Sequence, residues 1–229
     1  ASLNPDGSMD NYFGSSGITG ISLDHDIYFR DLALQEDGKI VVAGKGEYPS
    51  ASNDKAFVAR FNYNGSLDEE FSENGYQFYM LSDYDKTYGE SVIIDGSRIV
   101  VAGYAKQSGV NYYDGILYGL LQDGSYDPSF GNGMEIFDYK DFDYLKSIVL
   151  QEDGKYVACG SSREESGFSD FLLLRINQDA SLDEEFGDGG IVDTYIQSGE
   201  DVANTICINN DLNLMAGGIT TKADGTLNL

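Results

Sequence analysis

Acidic and tyrosine side chains recur together at four places along the chain, and they are its first candidates for chemistry. The groups consist of Asp24, Asp26 and Tyr28; Asp83, Tyr84, Asp85 and Tyr88; Asp138, Tyr139, Asp141, Asp143 and Tyr144; and Glu200 and Asp201. A tyrosine ring packs against the face of a sugar, and a carboxylate accepts hydrogen bonds from sugar hydroxyls. The pattern predicts a site for a glycan or a protein surface, although a solvated connecting loop has the same composition.

Catalytic chemistry has less support in the sequence. Two carboxylates can hydrolyse a glycosidic bond, but no pair stands out among the 39 acidic residues. The single histidine, His25, lies between two aspartates, and we expect it to be solvated rather than to act as a base. Cys159 and Cys207 fall in apolar strand positions, so we expect both to be buried and unreactive. We predict a protein without enzyme activity, with a carbohydrate-active enzyme as an alternative.

One short motif raises the question of a metal site. Asn4, Asp6, Ser8 and Asp10 place side-chain oxygens on alternate residues around a glycine. Calcium takes about six to eight such oxygens, but the motif lacks the aspartate run and the distal glutamate of a complete calcium loop. A tight turn, in which serine and aspartate side chains bond to nearby amides, explains the motif as well. We predict no cofactor, with calcium at these four residues as the alternative.

The elements that must position these side chains come from an internal repeat. The motif at residues 62–68, Asn-Tyr-Asn-Gly-Ser-Leu-Asp, recurs with its serine at positions 8, 66, 125 and 181, in steps of 58, 59 and 56 residues. A second motif closes on Gly44, Gly103, Gly160 and Gly217, in steps of 59, 57 and 57 residues. Two motifs with one period predict four units, at about residues 1–61, 62–120, 121–176 and 177–229.

Each unit reads as four short strands. Apolar runs on both sides of Asp-Gly predict a hairpin, since glycine accepts the positive φ that the turn requires. Four antiparallel strands per unit are typical of a propeller blade, which buries its faces only by stacking on its neighbours. We predict an all-β fold, a β-propeller of four-stranded antiparallel blades that makes residues 1–229 a single domain or a propeller segment. An open β-solenoid or two sandwiches are the alternatives.

Some residues of the repeat read as structural. Arg60 and Arg175 occupy equivalent strand ends, whereas Gly119 stands at that position in the second unit. A buried arginine that bonds to carbonyl groups or to an aspartate of a neighbouring turn would hold blades together. The four closing glycines are predicted to be structural as well.

The repeat also resembles a known family. Its motifs are Asp-Gly-Lys-Ile-Val-Val-Ala-Gly at 37–44, Ala-Arg-Phe-Asn at 59–62 and Asn-Gly-Ser-Leu-Asp-Glu-Glu-Phe at 64–71. Together they are similar to the delta-60 repeats, arrays of units of about 60 residues with a β-propeller fold in bacterial exported and surface proteins. The resemblance spans the chain in four units, although the fourth lacks Asp-Gly-Lys. It implies a cell-surface or extracellular setting and no catalytic residues.

Composition and charge limit the classes of partner that we expect. Lys and Arg total 14 against 39 acidic residues, a formal net charge of −25, so a phosphate backbone would be repelled and no nucleic acid is expected. No run approaches the roughly 18 apolar residues of a membrane helix, so no membrane insertion is expected. The first residues contain neither a basic segment nor an apolar run and no starting methionine, which predicts a mature or excised fragment.

Three functions remain open. The first is a non-catalytic binding or adhesion module of an exported or cell-surface protein, with a glycan or a surface protein as its partner. The second is a structural spacer in a large surface protein, and the third is the carbohydrate-active enzyme. Open blade edges would also pair with another copy of the chain, so self-association is a further expectation.

Overall fold

The computed structural model describes residues 1–47, 54–196 and 198–226, and these residues confirm an all-β fold. The strands are β1 (Ile27–Leu34), β2 (Ile40–Glu47), β3 (Asp54–Phe61), β4 (Tyr76–Tyr79), β5 (Tyr84–Asp95), β6 (Arg98–Gln107), β7 (Tyr113–Leu120), β8 (Met134–Phe137), β9 (Phe142–Leu150), β10 (Tyr156–Arg163), β11 (Asp170–Ile176), β12 (Ile191–Thr194), β13 (Asp201–Ile208) and β14 (Leu214–Thr220). The helical content of these ranges is one 3-10 turn, Gly131–Gly133. No helix in them is long and apolar enough to cross a membrane.

The strands form three sheets whose order follows the chain. The first sheet is β1-β2-β3-β4, and every pair in it is antiparallel. The second contains β5 to β12, but it divides into two antiparallel groups of four, since β7 meets β9 only through the parallel pair Tyr113–Phe142. The last sheet is the two-stranded hairpin β13–β14. The structure thus contains three four-stranded groups and one hairpin, and the described residues do not form four equal blades or a closed ring.

Burial occurs between the groups rather than within them. β5 packs against β1, β2 and β3; β9 packs against β5, β6 and β7; and β13 packs against β9, β10 and β11. One cluster joins Val41, Val58 and Phe71 to Ile99, Ile116 and Tyr118, and the next joins Val100, Leu117 and Phe130 to Ile148, Tyr156 and Leu172. Each sheet therefore buries its faces by stacking on the sheets before and after it, as propeller blades do.

A bulge interrupts the first strand of every group, at equivalent positions. The register shifts at Arg30 in β1, at Glu90 in β5, at Lys146 in β9 and at Asn204 in β13. Just before each bulge, a backbone carbonyl of the first strand lies so close to a glycine of the second strand that a Cβ on that residue would collide with the carbonyl oxygen. The four glycines under these carbonyls are Gly44, Gly103, Gly160 and Gly218.

The fourth glycine corrects the sequence alignment. Gly217 was predicted to be the structural residue, but a Cβ on Gly217 would meet only the Thr205 methyl group, at 3.5 Å. The carbonyl of Val202 lies against Gly218 instead. The degenerate fourth motif concealed this shift of one residue.

Arg60 and Arg175 each bond to an aspartate of the turn that follows their strand, and Arg60 also reaches the next group. The Arg60 Nε donates to Asp68 Oδ2 at 2.6 Å, and its guanidinium also donates to the backbone carbonyl of Gln122 in the next group. The Arg175 Nε makes the equivalent bond to Asp183, again at 2.6 Å.

In the second group, Arg98 of β6 takes this role. Its Nε donates to Asp127 Oδ2 at 2.7 Å, and its Nη1 donates to the backbone carbonyl of Gln178 at 2.9 Å. Its guanidinium lies 5.3 Å from the ring centre of Phe130. A Cβ on Gly119 would collide with that ring, which explains the absence of an arginine at residue 119.

We expect Arg98→Ala to lower the free energy of unfolding by about 2 kcal/mol, because Asp127 loses its guanidinium partner and the Gln178 carbonyl loses its donor. Urea denaturation measures the loss. Lys39 stands at the equivalent position and contacts Asp68 at 3.0 Å, where Arg60 bonds the same carboxylate. Lys39→Ala should therefore cost clearly less, and equal losses in the two variants would contradict this account.

Backbone hydrogen bonds between turns also connect neighbouring groups of strands. The N–H groups of Gly14, Ser72 and Gly131 donate to the carbonyls of Asn64, Asp123 and Asp179 at 2.7, 2.7 and 3.0 Å. Gly14, Ser72 and Gly131 each follow a buried phenylalanine and have positive φ values of 55°, 53° and 52°. The left-handed backbone at these positions aims each N–H at the neighbouring turn.

Candidate functional site

The acidic and tyrosine groups all lie at one end of the sheets. The second, third and fourth acidic groups lie where the chain passes from one four-stranded group to the first strand of the next, and the first acidic group lies where the chain enters β1. The connections β6–β7 and β10–β11 reach the same end, since antiparallel strands alternate in direction. The topology therefore brings two sets of loops together at the end where sequence analysis placed the binding residues.

The first acidic group is largely open to solvent. Asp24, Asp26 and Tyr28 are exposed, and the Lys45 Nζ lies 5.3 Å from the centre of the Tyr28 ring. The prediction of a solvated histidine is wrong. The His25 ring packs on Phe78 with a centroid distance of 5.3 Å, and both of its ring nitrogens are buried.

In the second acidic group, only Asp83 is exposed. The Tyr84 hydroxyl donates to buried Asp114 at 2.5 Å, and its own burial, followed by that hydrogen bond, raises the pKa of Tyr84. Asp85 accepts a hydrogen bond from the Ser108 hydroxyl at 2.8 Å. Tyr88 is buried and stacks on Tyr104 with a centroid distance of 4.5 Å.

The third acidic group contains a fully buried carboxylate side chain, Asp143. Asp143 Oδ2 accepts hydrogen bonds from the backbone N–H groups of Tyr139 and Lys140 at 2.7 and 2.9 Å. Its Oδ1 is also buried and accepts no hydrogen bond from the described residues. Burial raises the pKa of Asp143 to about 7, and the charge of nearby Asp114 adds to the effect although the two N–H bonds oppose it. This carboxyl group orders the loop rather than facing a ligand.

Tyr144 lies in an aromatic cluster between the second and third groups. Its ring meets Tyr104 at 4.9 Å and Tyr113 at 5.3 Å, and its burial raises the pKa of Tyr144 to about 12. The Lys146 Nζ lies 4.6 Å from the Tyr104 ring centre, and its burial lowers the pKa of Lys146. Tyr88, Asp143 and Tyr144 were predicted to bind a ligand, but Tyr88 and Asp143 are buried and Tyr144 packs on rings of β6 and β7.

The loops of the third group nevertheless enclose a cleft of about 350 Å³. Its lining is strongly polar and consists of Gln107, Tyr112, Asp138, Tyr139, Lys140, Asp141 and Glu164. The Tyr139 ring is 43% exposed, and Asp138 is exposed beside it. The Lys140 Nζ is held by Asp193 at 2.5 Å and by Asp170 at 3.4 Å. Burial lowers the pKa of Lys140, but its bonds to these two aspartates outweigh burial and raise it overall.

Of the predicted site residues, Asp138, Tyr139 and Asp141 line this cleft, and Asp141 Oδ2 accepts the Glu165 N–H at 2.7 Å. Gln107, Tyr112 and Glu164 were missed because they belong to the connections after β6 and β10, where the repeat has no common motif. The only signal for them was topological, since these connections reach the same end as the acidic loops.

The turn that was considered for calcium is held by its own hydrogen bonds. The Ser8 N–H and hydroxyl donate to Asp6 Oδ1 at 2.9 and 2.6 Å, which lowers the pKa of Asp6. Asn4 turns its Nδ2, a donor, toward Ser8 and Met9. Asp10 accepts from Ser2 and from the Tyr12 N–H. Within the described ranges no three His, Cys, Asp or Glu side chains are grouped as metal ligands would be.

The two cysteines differ. Cys159 is buried, and burial raises the pKa of its thiol to about 12. Cys207 is exposed, which corrects the prediction that both are buried. Its side of β13 faces solvent because, among the described residues, no further sheet covers the hairpin.

No curated protein is detectably similar to this chain. Two solved structures resemble it with a TM-score of 0.44 each. One is a GH43 beta-xylosidase/alpha-arabinofuranosidase from a compost microbial metagenome in complex with xylotriose, at 10% identity over 80% of this chain and 68% of that one. The other is the GH32 beta-fructofuranosidase of Bombyx mori, at 11% identity over 80% of this chain and 40% of that one.

A family described as "Domain of unknown function (DUF5122) beta-propeller" matches residues 35–71 and 151–186. The two matches begin 116 residues apart, at 35 and 151, which equals two steps of the internal repeat. They cover β2 with β3 and β10 with β11, including the Asp-Gly turns and the arginines Arg60 and Arg175. The finer resemblance to the delta-60 repeats stays a prediction. The family match and the strand topology together identify the repeats of this chain as β-propeller repeats.

Proposed function

We propose that the protein is a non-catalytic binding module that recognises a glycan through the cleft beside Tyr139. The single observation that carries the proposal is the cleft itself, which combines a half-exposed tyrosine ring with exposed carboxylates and an amide. The ring offers an apolar face to a sugar, and the carboxylate and amide oxygens accept hydrogen bonds from its hydroxyls.

The charge of the cleft favours a neutral or basic glycan. Asp138, Asp141 and Glu164 line it, and its one cation, Lys140, is already paired with two aspartates. The whole chain carries a formal charge of −25, so sulfated and uronic-acid glycans would be repelled. Display at a cell surface is part of the proposal and rests on the resemblance to the delta-60 repeats.

We expect Tyr139→Ala to weaken binding of the recognised glycan about tenfold or more, since the loss of ring stacking costs roughly 1.4 kcal/mol. An array of neutral, basic and acidic glycans identifies the ligand, and calorimetry with the strongest hit measures the affinity. Tyr12→Ala is the matched control because Tyr12 is 95% exposed and lies outside the cleft.

Two results would contradict the proposal. One is an array without any hit, and the other is an equal loss of affinity in the Tyr139 and Tyr12 variants. Incubation of the hit with the protein, followed by analysis for released sugars, tests the alternative of a carbohydrate-active enzyme. Turnover that disappears on Asp141→Asn would favour that enzyme over a binding module.

A structural spacer is the second candidate, and one observation favours it. Tyr84 and Asp143 bond within their own groups of strands, and Tyr88 and Tyr144 contact neighbouring ones, so much of the acidic and aromatic pattern serves the scaffold. A spacer would give an array without hits while keeping its folded stability.

A further inference from the structure

A groove lies on the outer face of the first sheet. It measures about 610 Å³ and runs between Phe13 and Thr19 on one side and Phe29, Leu32, Leu34 and Val42 on the other. Phe29, Leu32 and Leu34 are exposed by 42%, 60% and 67%, which makes this an apolar surface open to solvent.

The repeat shows what normally covers such a surface. Leu32 of β1 corresponds to Val92, Ile148 and Ile206 in the first strands of the later groups, since each of them pairs with the residue two before the bulge glycine. Leu32 is 60% exposed, whereas the other three are 3%, 3% and 4% exposed. Val92 is buried by Val41 and Ala43, which belong to the second strand of the preceding group. The groove is therefore the place where the first and second strands of a preceding group would pack.

The hairpin β13–β14 is such a pair, and its outer face is open. Met215 of β14 corresponds to Val41, Val100 and Val157 in the second strands of the other groups. Met215 is 56% exposed, whereas these three valines are fully buried against the group that follows them.

Residues 1–26 supply the complementary outer part of a unit. The bridge Leu3–Met9 repeats the bridges Phe61–Leu67, Leu120–Tyr126 and Ile176–Leu182, which follow the third strand of each group. These residues are already seated on the first sheet, since the Gly14 N–H donates to Asn64 O and the Thr19 hydroxyl donates to Gly65 O. Residues 1–26 and β13–β14 thus hold the two halves of one unit.

We propose that the groove receives the β13–β14 hairpin of a second copy of this chain. The chain's own hairpin does not fill it, because Leu32 and Met215 are both exposed in the same molecule. A dimer of two copies joined head to tail contains six four-stranded groups, three from each copy. It also contains two composite units, each made of residues 1–26 of one copy and the β13–β14 hairpin of the other. Such a dimer closes a ring of eight units, within the usual size of propellers, with two-fold symmetry.

Light scattering on a sizing column tests the proposal in about 0.15 M salt, which screens the repulsion between two acidic copies. We expect a mass of twice 25.0 kDa for the unaltered chain. Leu32→Glu and Met215→Glu should each give a monomer, because a charge would be buried at both junctions. An equimolar mixture of the two variants should form some dimer where neither variant alone does, since one of its two junctions joins an intact hairpin to an intact groove while the other carries both charges.

Leu121→Glu and Met80→Glu are the matched controls, at side chains that are 39% and 46% exposed elsewhere on the surface. Both should remain dimeric. All four changes replace exposed side chains, and circular dichroism verifies that each variant is folded. A monomeric unaltered chain at all concentrations overturns the proposal, and so does a dimer that survives Leu32→Glu and Met215→Glu or a mixture that stays monomeric.

Discussion

Gly160→Ala is expected to lower the free energy of unfolding by about 3 kcal/mol or more, the upper range for overpacking a core. The carbonyl of Tyr144 lies directly against the Gly160 Cα, so a methyl group there would have to displace the backbone of β9. That backbone is fixed by the bulge at Lys146 and by the buried Leu145, which cannot move without opening the junction with the second group.

Urea denaturation followed by circular dichroism measures this loss. Gly217→Ala is the control, since it adds the same methyl group to the second strand of a unit but meets only Thr205, at 3.5 Å. We expect the control to change stability by less than about 1 kcal/mol. Similar losses in the two variants would show that the collision with the bulge is not the cause.

Asp143→Asn is expected to stabilise the protein above pH 7 and to leave it nearly unchanged near pH 4. Asp143 is fully buried and its pKa is raised to about 7, from an ordinary value of 3.8. Between these two pH values the unfolded chain loses the proton while the folded chain keeps it. Ionisation of this group therefore lowers stability as the pH rises from about 4 to about 7, by up to roughly 4 kcal/mol. Above pH 7 the loss is complete and stays constant.

An asparagine removes the ionisation and keeps the hydrogen bonds, because its carbonyl oxygen can accept from the Tyr139 and Lys140 N–H groups. The measured quantity is the difference in unfolding free energy between variant and unaltered chain at pH 4, 6 and 8. Taking this difference cancels the titration of the other carboxylates. Asp83→Asn, the same change at an exposed position of the equivalent loop, is the matched control. A difference for Asp143→Asn that does not change with pH would contradict the raised pKa.

The sequence predicts the repeat and its strands well, because local chemistry determines both. Asp-Gly turns such as that at Asp37-Gly38 require a positive φ, and Gly38 has a φ of 83°. Nothing local distinguishes Gly217 from Gly218, since the bulge that selects one of them is formed by another strand. In the same way, Arg98 takes over the contact of Arg60 through space, and no motif marks that exchange.

The candidate site was predicted only in part, for a physical reason. Aspartate and tyrosine are common both in ligand sites and in loops that pack polar groups, and composition does not separate the two. Asp141 and Asp143 are two residues apart in sequence, yet the first lines the cleft and the second is fully buried. Their partners differ, since Asp143 accepts from N–H groups of its own loop whereas Asp141 accepts from Glu165 in the connection after β10, and composition marks neither contact.

The single parallel pair Tyr113–Phe142 has a consequence for how the chain folds. Hydrogen-bonded ladders run within each group of four strands, between segments that follow one another directly, so the loops that must close are short. Neighbouring groups meet mainly through side chains and a few bonds between turns. The strands of each group can therefore pair as soon as its own residues have left the ribosome, and the group becomes stable when its neighbour stacks on it. Cooperativity passes from neighbour to neighbour, so a fault in one group weakens the junctions beside it and leaves the more distant strands paired.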